Sequence, residues 1–121
     1  MIPTAGASDP CVHCGFCLPS CASYQVLGTE MDSPRGRIHA LKAIEAGELA
    51  LDATVASHFD SCLGCLACVS ACPSGVRYDQ LLEATRPQLN AAGLRSPGQN
   101  ALRRGLFALL PYPKRLRALL K

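Results

Sequence analysis

All eight cysteines fall in two runs of identical spacing, Cys11-x2-Cys14-x2-Cys17-x3-Cys21 and Cys62-x2-Cys65-x2-Cys68-x3-Cys72, and Pro73 follows the second. This is the spacing of the bacterial 4Fe–4S run. Three thiolates two residues apart wrap a tight loop around three irons of a cubane, and the loop turns its amide N–H groups towards the negatively charged sulfurs. Small residues let the backbone come close, and Gly15, Gly64 and Ala67 sit inside the loops. In two-cluster proteins of this kind the fourth cysteine ligates the other cluster. The expectation is therefore one cluster on Cys11, Cys14, Cys17 and Cys72, and a second on Cys62, Cys65, Cys68 and Cys21. Zinc sites use separate CxxC pairs rather than three cysteines in a row, and disulfides are out of place in a chain with no secretory signal. One departure stands out. Cys21 is followed by Ala22, not proline, so the turn after it is expected to be less rigid than the one after Cys72.

The remaining residues must position those two runs. Residues 1–9 read as a loose lead-in. Between the runs, Ser33 can cap a helix with Pro34 at its first position. Ile38, Leu41 and Ile44 then recur every three residues, and Gly47 is a plausible stop. A second helix over roughly Leu51 to Ser61 would align Leu51, Val55 and Phe59. After the turn Pro73-Ser74-Gly75, a third helix runs from Tyr78 to Ala91 with Leu81, Leu82, Thr85 and Leu89 on its inner side. A last helix is expected over Asn100 to Leu110, before Pro111-Tyr112-Pro113. No stretch alternates with the period of a strand, so the fold class is mostly α.

Charge divides the chain. Residues 1–60 hold seven acidic and three basic residues, whereas residues 61–121 hold two acidic and nine basic ones. From Arg95 onward there are seven basic residues and no acidic one. Such a tail suits something anionic or acidic. Six of these charges lie between Arg103 and Lys121 among seven leucines and phenylalanines, which fits either docking on further protein or lying on an anionic membrane surface. Pro111 and Pro113 prevent one long helix there, which favours docking. Nucleic acid is a poor partner, because no aromatic platform accompanies the charge. No run of 18 apolar residues could cross a bilayer. Met1 to Pro10 has no basic patch or apolar core run, so a reduced, cytoplasmic setting is expected. No nucleophile–base pair, phosphate loop or flavin fingerprint is present, so the chain is not expected to turn over a substrate by itself.

Beyond the cysteines, the segments CVHCGFCLPSC, YQVLGTEMDSPRGRIHALKAIEAGE and CLGCLACVSACPSGVRYDQLLE resemble the iron–sulfur subunits of bacterial glycolate oxidase (glycolate dehydrogenase). The match runs from about Pro10 to Leu82, with a weaker echo from Arg103 to Leu119. It includes the blocks Ser33-Pro34-Arg35-Gly36-Arg37-Ile38 and Pro73-Ser74-Gly75-Val76-Arg77-Tyr78. Iron–sulfur subunits of lactate-utilisation and anaerobic glycerol-3-phosphate dehydrogenase systems look similar. The resemblance implies a helical ferredoxin domain with two 4Fe–4S clusters over residues 1–94, with cluster loops at about 2–31 and 53–82. Residues 95–121 would be a basic amphipathic tail leading towards a cysteine-rich region with Cys-Cys-Gly repeats. No cysteine follows Cys72, so a fragment, a split gene product or a truncated subunit is expected. The resemblance further implies FAD-containing glycolate oxidase subunits as partners, oxidising glycolate to glyoxylate, and a membrane acceptor such as quinone, with a peripheral place on the inner membrane face. Alternatives are a free-standing two-cluster ferredoxin and an iron–sulfur redox sensor, the latter lacking a DNA-reading element.

Arg35 and Arg37 have two readings: they offset cluster charge or grip a partner, or they lie on a solvated helix start, where the helix dipole mildly disfavours cations. His13 is expected to be a loop residue, and His39 and His58 surface or packing residues.

Overall fold

The computed structural model describes residues 7–120, and no strand occurs among them. Seven helices follow in order: α1 (Ala22–Leu27), α2 (Pro34–Glu45), α3 (Ala53–Asp60), α4 (Ala67–Ser70), α5 (Tyr78–Ala91), α6 (Pro97–Leu109) and α7 (Pro113–Leu119). A 3-10 turn, Glu30–Asp32, precedes α2.

The mostly helical reading holds, and so do the ends that have a local chemical signature. Ser33 caps α2, its hydroxyl accepting from the Gly36 N–H, with Pro34 at the first turn. The third helix begins and ends where the periodicity places it, with Leu81, Leu82, Thr85 and Leu89 buried. Elsewhere the ends shift. Asp52 caps α3, its carboxylate accepting from Val55 N–H, so the helix starts at Ala53 and Leu51 falls just outside. Ser96 and Gln99 form a reciprocal capping box, which starts α6 at Pro97 rather than Asn100. A separate helix, α7, forms beyond Pro113, where proline suits the first turn.

Residues from α2 (Ile38, Leu41), α3 (Val55, Ala56, Phe59) and α5 (Tyr78, Leu81, Leu82, Leu89) make one core, joined by Val76 and Cys68. Each large side chain among them contributes roughly 1.5–3 kcal/mol through burial. The cysteine runs lie against this core, with Cys11, Cys17, Cys62 and Cys72 packed on its margin. Helices α6 and α7 bury no residue. They are joined to the rest by Arg95, whose Nε and Nη2 donate to the Asp60 carboxylate at 2.5 and 2.6 Å.

A polar knot sits beside the apolar core. Asp32 is buried and accepts from Ser61 at 2.5 Å and Thr29 at 2.5 Å, with His58 Nδ1 at 3.1 Å. Arg37, wholly buried, donates from Nε to the His58 carbonyl at 2.6 Å and from Nη2 to Ser61 and Ser23 at 2.9 and 3.1 Å. Its Nη2 lies 3.5 Å from Asp32 Oδ1. The solvated reading therefore fails for Arg37. Gly36 answers a different demand: a Cβ there would stand 1.9 Å from the Glu30 carbonyl oxygen. The 3-10 turn and α2 can pack this closely only over glycine.

Two expectations follow. Gly36→Ala forces the turn off the helix and should lower stability by about 3 kcal/mol, read by anaerobic urea unfolding; an unchanged midpoint would show that the turn gives way freely. Burial pushes the Asp32 carboxyl up, but the hydrogen bonds from Ser61, Thr29 and His58 outweigh it and hold it at about 2, against an ordinary 3.8. The ionised carboxylate thus contributes about 2 kcal/mol at neutral pH, lost as pH falls from about 4 towards 2. The stability gap between wild type and Asp32→Asn should narrow over that range.

Candidate iron–sulfur site

The two runs share one backbone design. Counting from the first cysteine of each, the second and fourth following residues both have positive φ: His13 (55°) and Gly15 (89°) in the first run, Gly64 (69°) and Leu66 (60°) in the second. Glycine occupies a different one of the two slots in each loop. The ladder after them matches too. Leu18 N–H donates to Gly15 C=O as Val69 N–H does to Leu66 C=O, and Cys21 N–H to Leu18 C=O as Cys72 N–H does to Val69 C=O. Each glycine is also approached by an arginine. Arg35 Nη1 would lie 2.9 Å from a Cβ on Gly15, and Arg86 Nη1 3.2 Å from one on Gly64. Arg35 holds its loop through the His13 carbonyl at 2.9 Å, and Arg86 holds the other through the Cys62 carbonyl at 2.6 Å.

After the fourth cysteine the runs diverge. Cys72 leads into a turn closed by Gly75 N–H to the Cys72 carbonyl. Cys21, with no proline behind it, becomes the residue that opens α1, and it is buried.

Two cavities lie against the loops. The first is lined by Cys11, Cys14, Cys17, Cys72 and Cys68. The second is lined by Cys21, Cys62, Cys65 and Cys68. Cys68, Pro34 and Tyr78 face both. The first turn of α2 is the partition between them, with Arg35 on the first cavity and Arg37 on the second. Among the described residues no three side chains of His, Cys, Asp or Glu converge closely enough for a single metal ion. The thiols line the two cavities, and a cubane of four irons, each taking one thiolate, fits such a rim.

The electrostatics agree with a polynuclear thiolate group. Burial, followed by the neighbouring Cys62, Cys17 and Cys21, pushes the Cys68 thiol up to about 12. Burial also raises Cys17, against the amide N–H groups of Arg35 and of Cys17 itself, which face its sulfur. At Cys21 burial is outweighed by Ser23, the Tyr24 amide and Arg37, and the thiol is lowered. Iron binding would require these thiols as thiolates and would release their protons. Burial keeps the Tyr78 hydroxyl protonated, and it donates to Cys62 Sγ at 3.9 Å.

The histidines lie outside this arrangement. His13 and His39 are exposed and meet edge to face, their centroids 5.8 Å apart, and His58 supports Asp32. The eight cysteines expected from the sequence line the two cavities, and Arg35 and Arg37 face one each. The contacts of Ser23 and Arg86 are not anticipated by the sequence, and Tyr78 is signalled there as part of a shared block without a role.

Comparison with known proteins places these features in a family. A family model described as a 4Fe-4S dicluster domain matches residues 7–76. The glycolate oxidase iron-sulfur subunit of Escherichia coli (strain K12) is 44% identical over 110 residues, covering 90% of this chain and 26% of that protein. A probable glycolate oxidase iron-sulfur subunit of Bacillus subtilis (strain 168) is 44% identical over 110 residues, covering 89% of this chain and 25% of its own length. The chain thus spans about a quarter of the length of these curated relatives. No solved structure matches it. With more than half of its length matched, and with paired cysteine loops around two cavities, the chain belongs to the 4Fe-4S dicluster domain family.

Proposed function

We propose that this chain is the electron relay of a glycolate-oxidising complex, holding one 4Fe–4S cluster on Cys11, Cys14, Cys17 and Cys72 and another on Cys62, Cys65, Cys68 and Cys21. The observation that carries the assignment is the lining of the two cavities, each combining three cysteines of one run with the fourth of the other. The clusters would supply one-electron redox chemistry; the protein's part is to fix their separation, seal their inner faces and set their electrostatics. Pro34, Tyr78 and Cys68 form the wall between the two sites.

The relatives' names support glycolate oxidation as the setting. In this reading a FAD-containing partner is the electron source and a membrane acceptor such as quinone lies beyond. Residues 1–94 would form the two-cluster unit and 95–121 a docking tail. Leu102, Leu106, Phe107 and Leu119 on α6 and α7, with Leu110 and Leu120 at their C-terminal ends, are all exposed, which favours a complexed subunit over a free-standing ferredoxin. Among the described residues no helix is long and apolar enough to cross a membrane. The membrane contact in this reading is one made by this basic surface. Liposome sedimentation at low salt tests it, and absence of binding removes the membrane role.

Anaerobic reconstitution should give roughly eight irons per chain, from two four-iron clusters; a count near four would remove one of the sites. Cys21→Ser should alter the cluster carried by Cys62, Cys65 and Cys68 and spare the other, read by EPR against Cys65→Ser and Cys14→Ser. Matching spectra for Cys21→Ser and Cys14→Ser would reverse the crossing. Co-purification with the flavoprotein subunit tests the complex itself.

A further inference from the structure

Arg35 and Arg37 stand two residues apart on α2, one at each cavity, and are differently engaged. Every nitrogen of the Arg35 guanidinium has a partner: Nε and Nη2 bond the Glu30 carboxylate at 2.5 and 3.1 Å, and Nη1 the His13 carbonyl. It is also partly exposed, so its charge reaches the first cavity largely cancelled. Arg37 is wholly buried, and its nearest carboxylate oxygen, Asp32 Oδ1, lies at 3.5 Å and is already shared with Ser61 and His58. Its Nη1 has no acceptor at all, although Arg37 forms part of the second cavity. A buried guanidinium N–H without a partner is rare and unfavourable, and Arg37 is the charged side chain on the lining of the cavity where anionic sulfur would sit.

The hydroxyl donors fall on the same side. Among the described residues, the side-chain oxygens within hydrogen-bonding range of a cysteine sulfur are Ser23 at Cys21, 3.3 Å away, and Tyr78 at Cys62, 3.9 Å away. Ser23 gives its proton to the Asp32 carbonyl at 2.9 Å while Cys21 can donate its own. Once Cys21 is a metal-bound thiolate it has no proton, and the Ser23 hydroxyl is the donor left between them. Hydrogen bonds to sulfur and nearby positive charge favour the reduced, more negative state of an iron–sulfur cluster.

We propose that Arg37, with Ser23 and Tyr78, sets the cluster of Cys62, Cys65, Cys68 and Cys21 at the more positive potential, so that a single electron given to the chain comes to rest there. This rests on the crossed ligation proposed above. The transfer is a one-electron exchange in which the first cluster is oxidised as the second is reduced, with no bond made or broken. It gives the relay a direction, from the first cavity to the second.

The test is an EPR-monitored potentiometric titration of the full reconstituted chain, with dithionite as reductant. The second cluster is identified as the signal that Cys65→Ser removes. In the wild type that signal should appear first on substoichiometric reduction. Arg37→Gln should move its midpoint potential in the negative direction and leave the other unmoved. Tyr78→Phe should shift the same potential the same way by less, with iron still near eight per chain, and Arg37→Lys, which keeps the charge, should restore part of the loss. Should Arg37→Gln fail to hold iron, Tyr78→Phe and Ser23→Ala carry the test unaided. First appearance of the other signal overturns the proposal, as does an equal shift, or none, of the two potentials in these variants. Failure of the crossed ligation is read separately, from whether Cys21→Ser alters the signal that Cys65→Ser removes.

Discussion

The guanidinium of Arg37 gathers pieces of chain that the sequence holds far apart. It bonds Ser23 in α1, the carbonyl of His58 and the hydroxyl of Ser61 at the end of α3, and it faces Asp32 in the 3-10 turn. Ser23 follows the last cysteine of the first run by two residues, and Ser61 immediately precedes the first cysteine of the second. One buried cation therefore fixes where one run ends relative to where the other begins. A buried charge is retained at a large desolvation cost, which must be offset by hydrogen bonds and by opposite charge. Asp32 supplies part of the offset, and its own network with Thr29, Ser61 and His58 keeps it ionised. The partition between the cavities depends on this knot, since the turn of α2 that carries Arg37 is the wall itself.

Much of this arrangement is legible in the sequence because local chemistry announces it. The cysteine spacing is strong by itself. Ser33-Pro34 marks a helix start, and the apolar period of Leu81, Leu82, Thr85 and Leu89 marks a buried face. The short elements escape for a physical reason: α1 and α4 have six and four residues, too few to show a period, and exist because ligand loops must turn at their ends. The burial of Arg37 is illegible for another. Its partners come from positions 23, 32, 58 and 61, and no local pattern says that they meet. Gly36 lies between: the sequence shows a glycine inside a helix, and only the path of the preceding turn explains it.

The missing proline after Cys21 changes meaning in this light. Where Pro73 turns the chain away from Cys72, Ala22 lets α1 start at Cys21, and the first turn of that helix brings the Ser23 hydroxyl and the Tyr24 amide back towards the sulfur. The departure from the repeat thus goes with a chemically distinct setting for the Cys21 sulfur.

The exchanged glycine slots of the two loops carry a consequence for how the molecule is seen from outside. The backbones superpose in conformation, yet one loop shows an imidazole and a benzyl group, at His13 and Phe16, where the other shows the isobutyl groups of Leu63 and Leu66, all exposed. Interior symmetry and exterior asymmetry coexist. A protein approaching one loop meets His13 and Phe16 beside Val12, and one approaching the other meets Leu63 and Leu66. The two loops thus offer different outer surfaces over a closely similar backbone pattern.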